Sequence, residues 1–400
     1  MKTKKKIIVL VVVGLLCITP LGLVDLQLKA TSQELVALKE SNNAPSNSKS
    51  YKNLVTLELV GDYPLENEYD EAYGIHVQGT YAYLAVFGIG LLIIDISDPA
   101  NPTNISQFNG YGLSDVFVSG SYAYVATTLQ VQTVNISNPA SPNMVDFAFL
   151  SAQDIFVSGS YAYAACGEDG LVILDISDPT NITLTGYLVY GSALAFGVFV
   201  SGSYAYVADG NNKLVIINIS DPANPTETGN ISLEARTYDV FVSGSYAYVA
   251  GGTYGLRIID ISDPANPTEA GQFVEPIYSI ATDVKVSGSY AFLADGQNGL
   301  EVIDITDPAN PTEAGQFDNG GGARGVFLSG SYIFVADGTD GMEILSWEET
   351  TSISTPTSSP STSNGGSSVV DNPGFELISI FLAFATLLVV SVVYRRRRIK

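Results

Sequence analysis

The 400-residue chain is poor in the side chains on which most enzyme chemistry rests. It has one His, two Cys and one Trp. A lone imidazole excludes a His cluster for a metal ion. A Ser-His-Asp site would have to use His76, and nothing in the chain has the form of a nucleophile elbow. His76 follows Ile75 and precedes Val77 on a predicted strand, and reads as a packed side chain. Cys17 falls in an apolar N-terminal run without the small residues of a lipid-attachment box, so Cys166 has no partner for a disulfide framework. Positive charge is scarce as well. Residues 31–372 hold 8 Lys and Arg against 39 Asp and Glu, a net charge of −31. Such a surface repels nucleic acid and anionic lipid. It could attract cations, basic proteins or divalent-bridged polymers, but solubility and salt tolerance are the preferred reading of it.

What the chain does have is a repeat. Gly-[Ser/Thr]-Tyr-[Ala/Ile]-[Tyr/Phe] occurs seven times, starting at Gly79, Gly120, Gly159, Gly202, Gly244, Gly288 and Gly330, with spacings of 41, 39, 43, 42, 44 and 42 residues. In the copy from Asp239 to Phe273, four short runs rich in β-branched and aromatic residues are separated by turn signals. Ser243-Gly244-Ser245 suits a tight hairpin, and Asp263-Pro-Ala-Asn-Pro267 cannot continue a ladder. Each copy is therefore predicted to be a four-stranded antiparallel meander. In three copies the third run, Leu91-Leu-Ile-Ile94, Leu171-Val-Ile-Leu174 and Leu214-Val-Ile-Ile217, is apolar at every position, which implies burial on both faces.

Four-stranded units of about 40–45 residues stacked face to face are the signature of a β-propeller. The last copy ends after its third run, Met342 to Trp347, while an orphan run, Leu54 to Val60, precedes the first copy and leads into Gly61-Asp-Tyr63. That ending matches Gly271-Gln-Phe273 and Gly315-Gln-Phe317 in fourth runs. The expected fold is all-β, a seven-bladed propeller over 51–348 closed by the N-terminal strand. Repeats such as Gly170-Leu-Val-Ile-Leu-Asp-Ile-Ser-Asp-Pro179 resemble the LVIVD repeat family over residues 72–347. The resemblance implies an extracytoplasmic propeller, in a family mostly without an assigned activity. The single Trp347 argues against propellers that dock their blades through repeated Trp. Asn135 and Asn218 stand where Asp95, Asp175, Asp260 and Asp304 occur in other copies, and Ser346 does so in the last. That Asp reads as a turn cap.

The ends predict a location. Lys-rich residues 2–6 and the apolar run from Ile7 to Ile18 form a secretory signal or signal anchor within 1–30, followed by a linker over 31–50. Residues 349–372 form a Ser/Thr-rich stalk. Within 373–400, Leu377 to Tyr394 gives 18 uncharged residues, about 27 Å as a helix. Arg395 to Arg398 and Lys400 follow and stay cytoplasmic. Pro373, Gly374 and Phe375 resemble the processing motif of PGF-type C-terminal sorting domains of archaeal surface proteins. That resemblance implies removal of the helix by a membrane protease and attachment of a lipid; a plain transmembrane anchor is the alternative.

Three sets of residues are candidates for function. Five positions before the motif glycines stand Gly74, Asp115, Asp154, Gly197, Asp239, Asp283 and Gly325. Four carboxylates around one axis would bind Ca²⁺ or a cationic group, or would accept hydrogen bonds from exposed N–H groups of the adjacent loop, with Gly filling the same tight space. One position earlier the residue varies: Tyr73, Ser114, Gln153, Phe196, Tyr238, Thr282 and Arg324, with Arg236 two before Tyr238. Tyr73, Arg236, Tyr238 and Arg324 suit a recognition surface on a rigid scaffold, although an unconstrained position varies too. Of five Asn-x-Ser/Thr sequons, Asn104, Asn181 and Asn230 are the better glycosylation acceptors, and Asn135 and Asn218 lie in third strands. The expected function is non-enzymatic: a surface propeller that binds an extracellular protein or glycan, held to the membrane by the C-terminal helix or a replacing lipid, with no nucleic-acid partner. The alternatives are an envelope component without a ligand, and a carboxylate- or Ca²⁺-dependent hydrolase or lyase in the channel.

Overall fold

No single repeat can hide a sheet that is apolar on both sides, and the ring is the answer to that constraint. In the computed structural model, residues 54–350 are described, apart from 68, 192 and 275–278. They form seven separate four-stranded antiparallel sheets. The signal segment, the linker, the stalk beyond Thr350, Pro373-Gly374-Phe375 and the span Leu377 to Tyr394 lie outside the described residues. Among the described residues no helix is long and apolar enough to cross a membrane.

A blade runs from the axis outward in chain order. In the fifth, the strands are Asp239–Ser243, Tyr246–Ala250, Leu256–Asp260 and Thr268–Phe273. The seventh takes Gly325–Ser329, Tyr332–Ala336 and Met342–Thr350 from the end of the ring and Leu54–Tyr63 from its start. This last pair is in antiparallel register from Leu54 opposite Thr350 to Tyr63 opposite Met342. The ladder carries this strand to Thr350, past its predicted end at Trp347, because the N-terminal strand gives those residues partners.

Local chemistry explains the turns. Ser243 pairs with Tyr246, so the first hairpin of the fifth blade has a two-residue loop. All seven motif glycines have φ between 58° and 63°, and a Cβ there would meet nothing within 4 Å. Conformation, not space, demands Gly, as in a type II′ turn. In the turn after the third strand, Asp260 Oδ1 accepts the Ser262 N–H at 2.9 Å, and Asp263 accepts Ala265 N–H at 3.1 Å and Asn266 Nδ2 at 2.9 Å. Asn135 and Asn218 make the equivalent bond through Oδ1, each at 2.9 Å, to Ser137 and Ser220. The turn needs an acceptor, not a charge.

The same turn docks blade against blade. A bulge in each fourth strand sets one residue toward the next blade; in the third, fourth and fifth blades it is a glycine under the next proline turn, and in the first and second it is Ser106 and Asp146. A Cβ on Gly271 would lie 2.2 Å from Pro308 O, and one on Gly229 2.4 Å from Pro264 O. Gly61, on the N-terminal strand, receives the turn of the first blade in the same way, with Pro99 O at 2.3 Å. The seventh blade has no such turn, and Gly315 meets Val55 O instead at 2.8 Å. Between blades the third strands bury both faces. Ile173 packs into the core shared with the fourth blade, and its neighbour Leu174 into the core shared with the second.

Two kinds of glycine therefore have different sensitivities. Gly271→Ala must push two blades apart and is expected to cost about 1–3 kcal/mol through overpacking. Gly244→Ala is expected to cost about 1–2 kcal/mol through the left-handed backbone alone. Urea unfolding of the two variants checks both, and a loss within error of zero for Gly271→Ala would contradict the docking role assigned to it.

Candidate binding site in the axial funnel

Period-two alternation along the innermost strands builds the site. In the fifth blade Val240 and Val242 enter the core between blades, which turns Asp239 and Phe241 toward the axis. Bulges at the start of this strand in the first, second and fourth blades re-aim the residue before it, so Tyr73, Ser114 and Phe196 also reach the axial cavity. The result is a cavity of about 610 Å³ with three tiers.

The middle tier holds the four predicted carboxylates. Asp154 Oδ2 accepts Val198 N–H at 2.6 Å, Asp283 Oδ2 accepts Val326 N–H at 2.7 Å, Asp239 Oδ2 accepts Val284 N–H at 3.2 Å, and Asp115 Oδ2 accepts Ile155 N–H at 3.4 Å. Each donor belongs to the innermost strand of the next blade, not to the connecting loop. Where the ring has Gly, the next blade comes too close for a side chain. A Cβ would lie 2.4 Å from Asp115 Oδ1 at Gly74 and 2.4 Å from Tyr73 O at Gly325.

The carboxylates do not form a Ca²⁺ cage, because a cation of the chain's own stands among them. Lys285 Nζ pairs with Asp283 and lies 3.3 Å from Asp239 Oδ2. Among the described residues no group of His, Cys, Asp or Glu is placed to hold a metal ion. Burial opposes the Lys285 charge, but Asp239 and Asp283 outweigh it and hold the ammonium well above the usual lysine range. Burial works upward on Asp283 too, yet Lys285 keeps it below the usual carboxylate range. Burial, reinforced by Asp115 and Asp239, pushes Asp154 well up. Asp239 rises for the same first reason, against the partial opposition of Lys285. Asp115 is raised by burial. The tier thus offers the cavity carboxyl acceptors together with the Lys285 ammonium as a donor.

Below it lies a tier that sequence reasoning did not single out. Three positions before each motif glycine stand His76, Phe117, Phe156, Phe199, Phe241, Lys285 and Phe327. Six are rings in sequence around the axis, with centroids 4.6 Å apart for Phe327 and His76, 4.7 Å for His76 and Phe117, and 4.7–5.2 Å onward to Phe241. Lys285 fills the remaining place. The signal was present as a Phe recurring in phase between two aliphatic residues. His76 is packed, as its sequence context implied. Burial first, then the Lys285 charge, lowers it to about 4.

The upper tier brings together the residues singled out for variability. Tyr73, Tyr238 and Arg324 line the cavity. Phe196 and Tyr238 stack with 5.5 Å between centroids and 6° between planes. Arg236 does not line the cavity itself; its guanidinium lies over both rings, 4.8 Å and 5.4 Å from their centroids. Across the mouth Arg324 covers Tyr73 at 5.2 Å and pairs with Glu71 at 3.5 Å. Tyr73, Phe87 and Tyr111 continue as a run of rings, with Tyr111 70 % exposed. The sequons lie elsewhere. Asn104, Asn181 and Asn230 are exposed; Asn104 Nδ2 donates to Tyr63 OH and Asn230 Nδ2 to Glu227. Asn135 and Asn218 are half-buried in their strands.

Seven consecutive segments, 71–110, 113–147, 151–188, 194–232, 235–274, 279–319 and 320–346, match the LVIVD repeat. The chain belongs to the LVIVD repeat family. No curated protein sequence matches it significantly. The fold of this LVIVD protein is similar to that of the β-propeller domain of Cps50 (Swd1) from Myceliophteria thermophila, with a TM-score of 0.58, 10 % identity, and 73 % of this chain and 99 % of that one covered. It is also similar to a protein from Lactobacillus plantarum, with a TM-score of 0.57, 16 % identity and coverages of 66 % and 88 %. A third likeness is the computationally designed Ika8 protein, with a TM-score of 0.53, 7 % identity and coverages of 71 % and 98 %. At these identities the likeness is one of fold alone.

Two predictions follow the electrostatics of the LVIVD funnel. Lys285→Met leaves Asp239 and Asp283 without their counter-charge, and both then sit above their unfolded-state pKa. Stability tied to a raised carboxyl pKa is lost as pH rises, so urea unfolding should show a loss of about 3 kcal/mol at pH 8 and a smaller one at pH 5; equal losses would mean the ammonium is not pairing. His76 is the opposite case, a base depressed from 6.5 to about 4. It removes stability as pH falls through that window, by up to about 3 kcal/mol. His76→Phe should flatten that part of the Tm–pH curve, and an unchanged acid limb would place the sensitivity elsewhere.

Proposed function

We propose that this LVIVD propeller is a non-enzymatic recognition module on the cell surface, and that the funnel mouth is its binding face. The observation that carries the reading is the meeting of Tyr73, Tyr238, Arg324 and the Arg236–Phe196 stack at one open cavity of about 610 Å³. Small-molecule sites span roughly 300–1,000 Å³ and combine apolar walls with a few placed polar groups. Aromatic and Arg side chains are also the types enriched where binding energy concentrates. The partner is an extracellular protein or glycan; the acidic surface disfavours nucleic acid.

The sequence of the termini supports the location. The basic, apolar N-terminal segment directs export or anchors the chain. The Ser/Thr-rich stalk spaces the propeller from the membrane, and the C-terminal helix holds it there, or a lipid replaces that helix after processing at Pro373-Gly374-Phe375. Asn104, Asn181 and Asn230 are the proposed glycan acceptors on the exposed outer face.

A second reading, a carboxylate hydrolase or lyase in the channel, draws on one observation: carboxyl groups with proton affinities pushed in opposite directions, Asp283 down and Asp154 up, on an open cavity. Mutagenesis separates the readings. The full chain in mild detergent is screened for binding to envelope glycans and envelope proteins. A recognition module should lose at least about tenfold in affinity on Tyr238→Ala combined with Arg324→Ala, with Tm unchanged and binding kept in Asp115→Asn. Loss of a turnover activity in Asp115→Asn or Asp283→Asn, with binding indifferent to the rim, would favour the enzyme. Indifference to every variant would leave an envelope component.

A further inference from the structure

The scarcity of positive charge gives the funnel its sharpest chemical clue. Among the described residues there are five basic side chains, Lys213, Arg236, Arg257, Lys285 and Arg324. Three of the five, Arg236, Lys285 and Arg324, gather at one cavity in a protein whose residues 31–372 carry a net charge of −31. Two of the three are already matched. Lys285 is paired with Asp283 and Asp239, and Arg324 with Glu71. Arg236 is not. It is exposed, and the salt bridges among the described residues give it no carboxylate. Its guanidinium is held instead over Phe196 and Tyr238, a stacking that fixes the group and leaves its N–H edge to donate two parallel hydrogen bonds to a planar anion.

The walls and floor restrict the rest of the ligand. The stacked Phe196–Tyr238 pair on one side and Tyr73 with Phe87 on the other line the cavity with aromatic rings. The floor below is dense in paired carboxyl groups and one ammonium, which together donate and accept hydrogen bonds within one small area. A group rich in hydroxyls, each donor and acceptor at once, matches such a floor. An apolar side chain would leave it unsatisfied. A cationic ligand is disfavoured because Lys285 already pairs with Asp239 and Asp283 and two guanidinium groups stand at the entrance.

We propose that the funnel binds the end of an acidic glycan, with a sugar carboxylate on Arg236, sugar faces against the Phe196–Tyr238 wall, and hydroxyls on the Asp154 and Asp239 side of the floor. This rests on the recognition reading above and narrows it to one ligand class. An acidic peptide shares the carboxylate but lacks the hydroxyls.

The test titrates the full chain in mild detergent with three probes: an oligosaccharide ending in a hexuronic acid, the same oligosaccharide ending in the neutral hexose, and an acidic peptide of similar size. Binding is read by calorimetry, or by quenching of tyrosine fluorescence at the mouth. The acidic oligosaccharide should bind at least about tenfold more tightly than the neutral one. Arg236→Gln should abolish that difference, so that the acidic and neutral oligosaccharides bind alike, with the Tm unchanged. Arg236 is exposed, so the variant should fold. Equal affinity for acidic and neutral sugars, insensitivity to Arg236→Gln, or preference for the peptide would each overturn the proposal. If binding of the neutral sugar or the peptide still falls with Tyr238→Ala, the recognition reading survives that failure. If no probe binds and no envelope component does either, both fall together.

Discussion

Everything in this protein depends on the pairing of Leu54–Tyr63 with Met342–Thr350. Third strands that are apolar on both faces can be satisfied only if every sheet has two neighbours, and a linear stack always leaves two faces in water. Closing the ring removes both. The closing strand also brings Gly61 beneath the turn of the first blade and Val55 against the glycine of the sixth, so the seam reproduces the contacts found between other blades. Loss of this one ladder would expose two apolar faces and one long edge at once, which is why closure is shared by the two ends of the ring.

Closure then decides where chemistry can vary. Around the axis, the same position of each blade is juxtaposed with its copies in the blades on either side. Five residues before the motif glycine, the choices reduce to Asp, which caps an N–H of the next blade, or Gly, which lets that blade come close. Three residues before it, rings fill the axis, with Lys285 as the one charged member. Only the position at the mouth is relieved of packing, because a bulge or loop there turns the side chain away from the core. Diversity is confined to that tier, and there the aromatic and guanidinium groups are found.

The parts legible in the sequence are those set by local or periodic rules. The meander, the Asp-Pro turns and the orphan strand all announce themselves within one repeat or by comparing two. Asn135 and Asn218 could be recognised as turn caps because the hydrogen bond they make spans two residues. The floor of the funnel was not legible in the same way. Counting four carboxylates suggests a cation site, but only the assembled ring shows that Lys285, from a single blade, stands among them. The Phe between two aliphatic residues looks like one more buried strand residue until six rings are seen to be neighbours around an axis. Arg236 was read as part of the mouth, yet its decisive contact is with Phe196 of the preceding blade, a distance of 40 residues that no local pattern encodes.

The contrast between outside and inside gives the funnel its electrostatic character. The outer turns are lined with carboxylates such as Asp95, Asp175 and Asp260, held below the usual range by bonds from the following Ser and therefore charged. The carboxyls of the floor are driven the other way by burial, apart from Asp283 beside its lysine. The surface charge acts at long range, and salt screens it beyond about 8–10 Å near physiological ionic strength. The contact proposed between Arg236 and an anion would act within hydrogen-bonding distance and be screened far less. In saline surroundings the general repulsion of anions therefore fades while the specific attraction at the mouth remains. An acidic coat and a site for a single anionic group are thus compatible, and salt sharpens the difference between them.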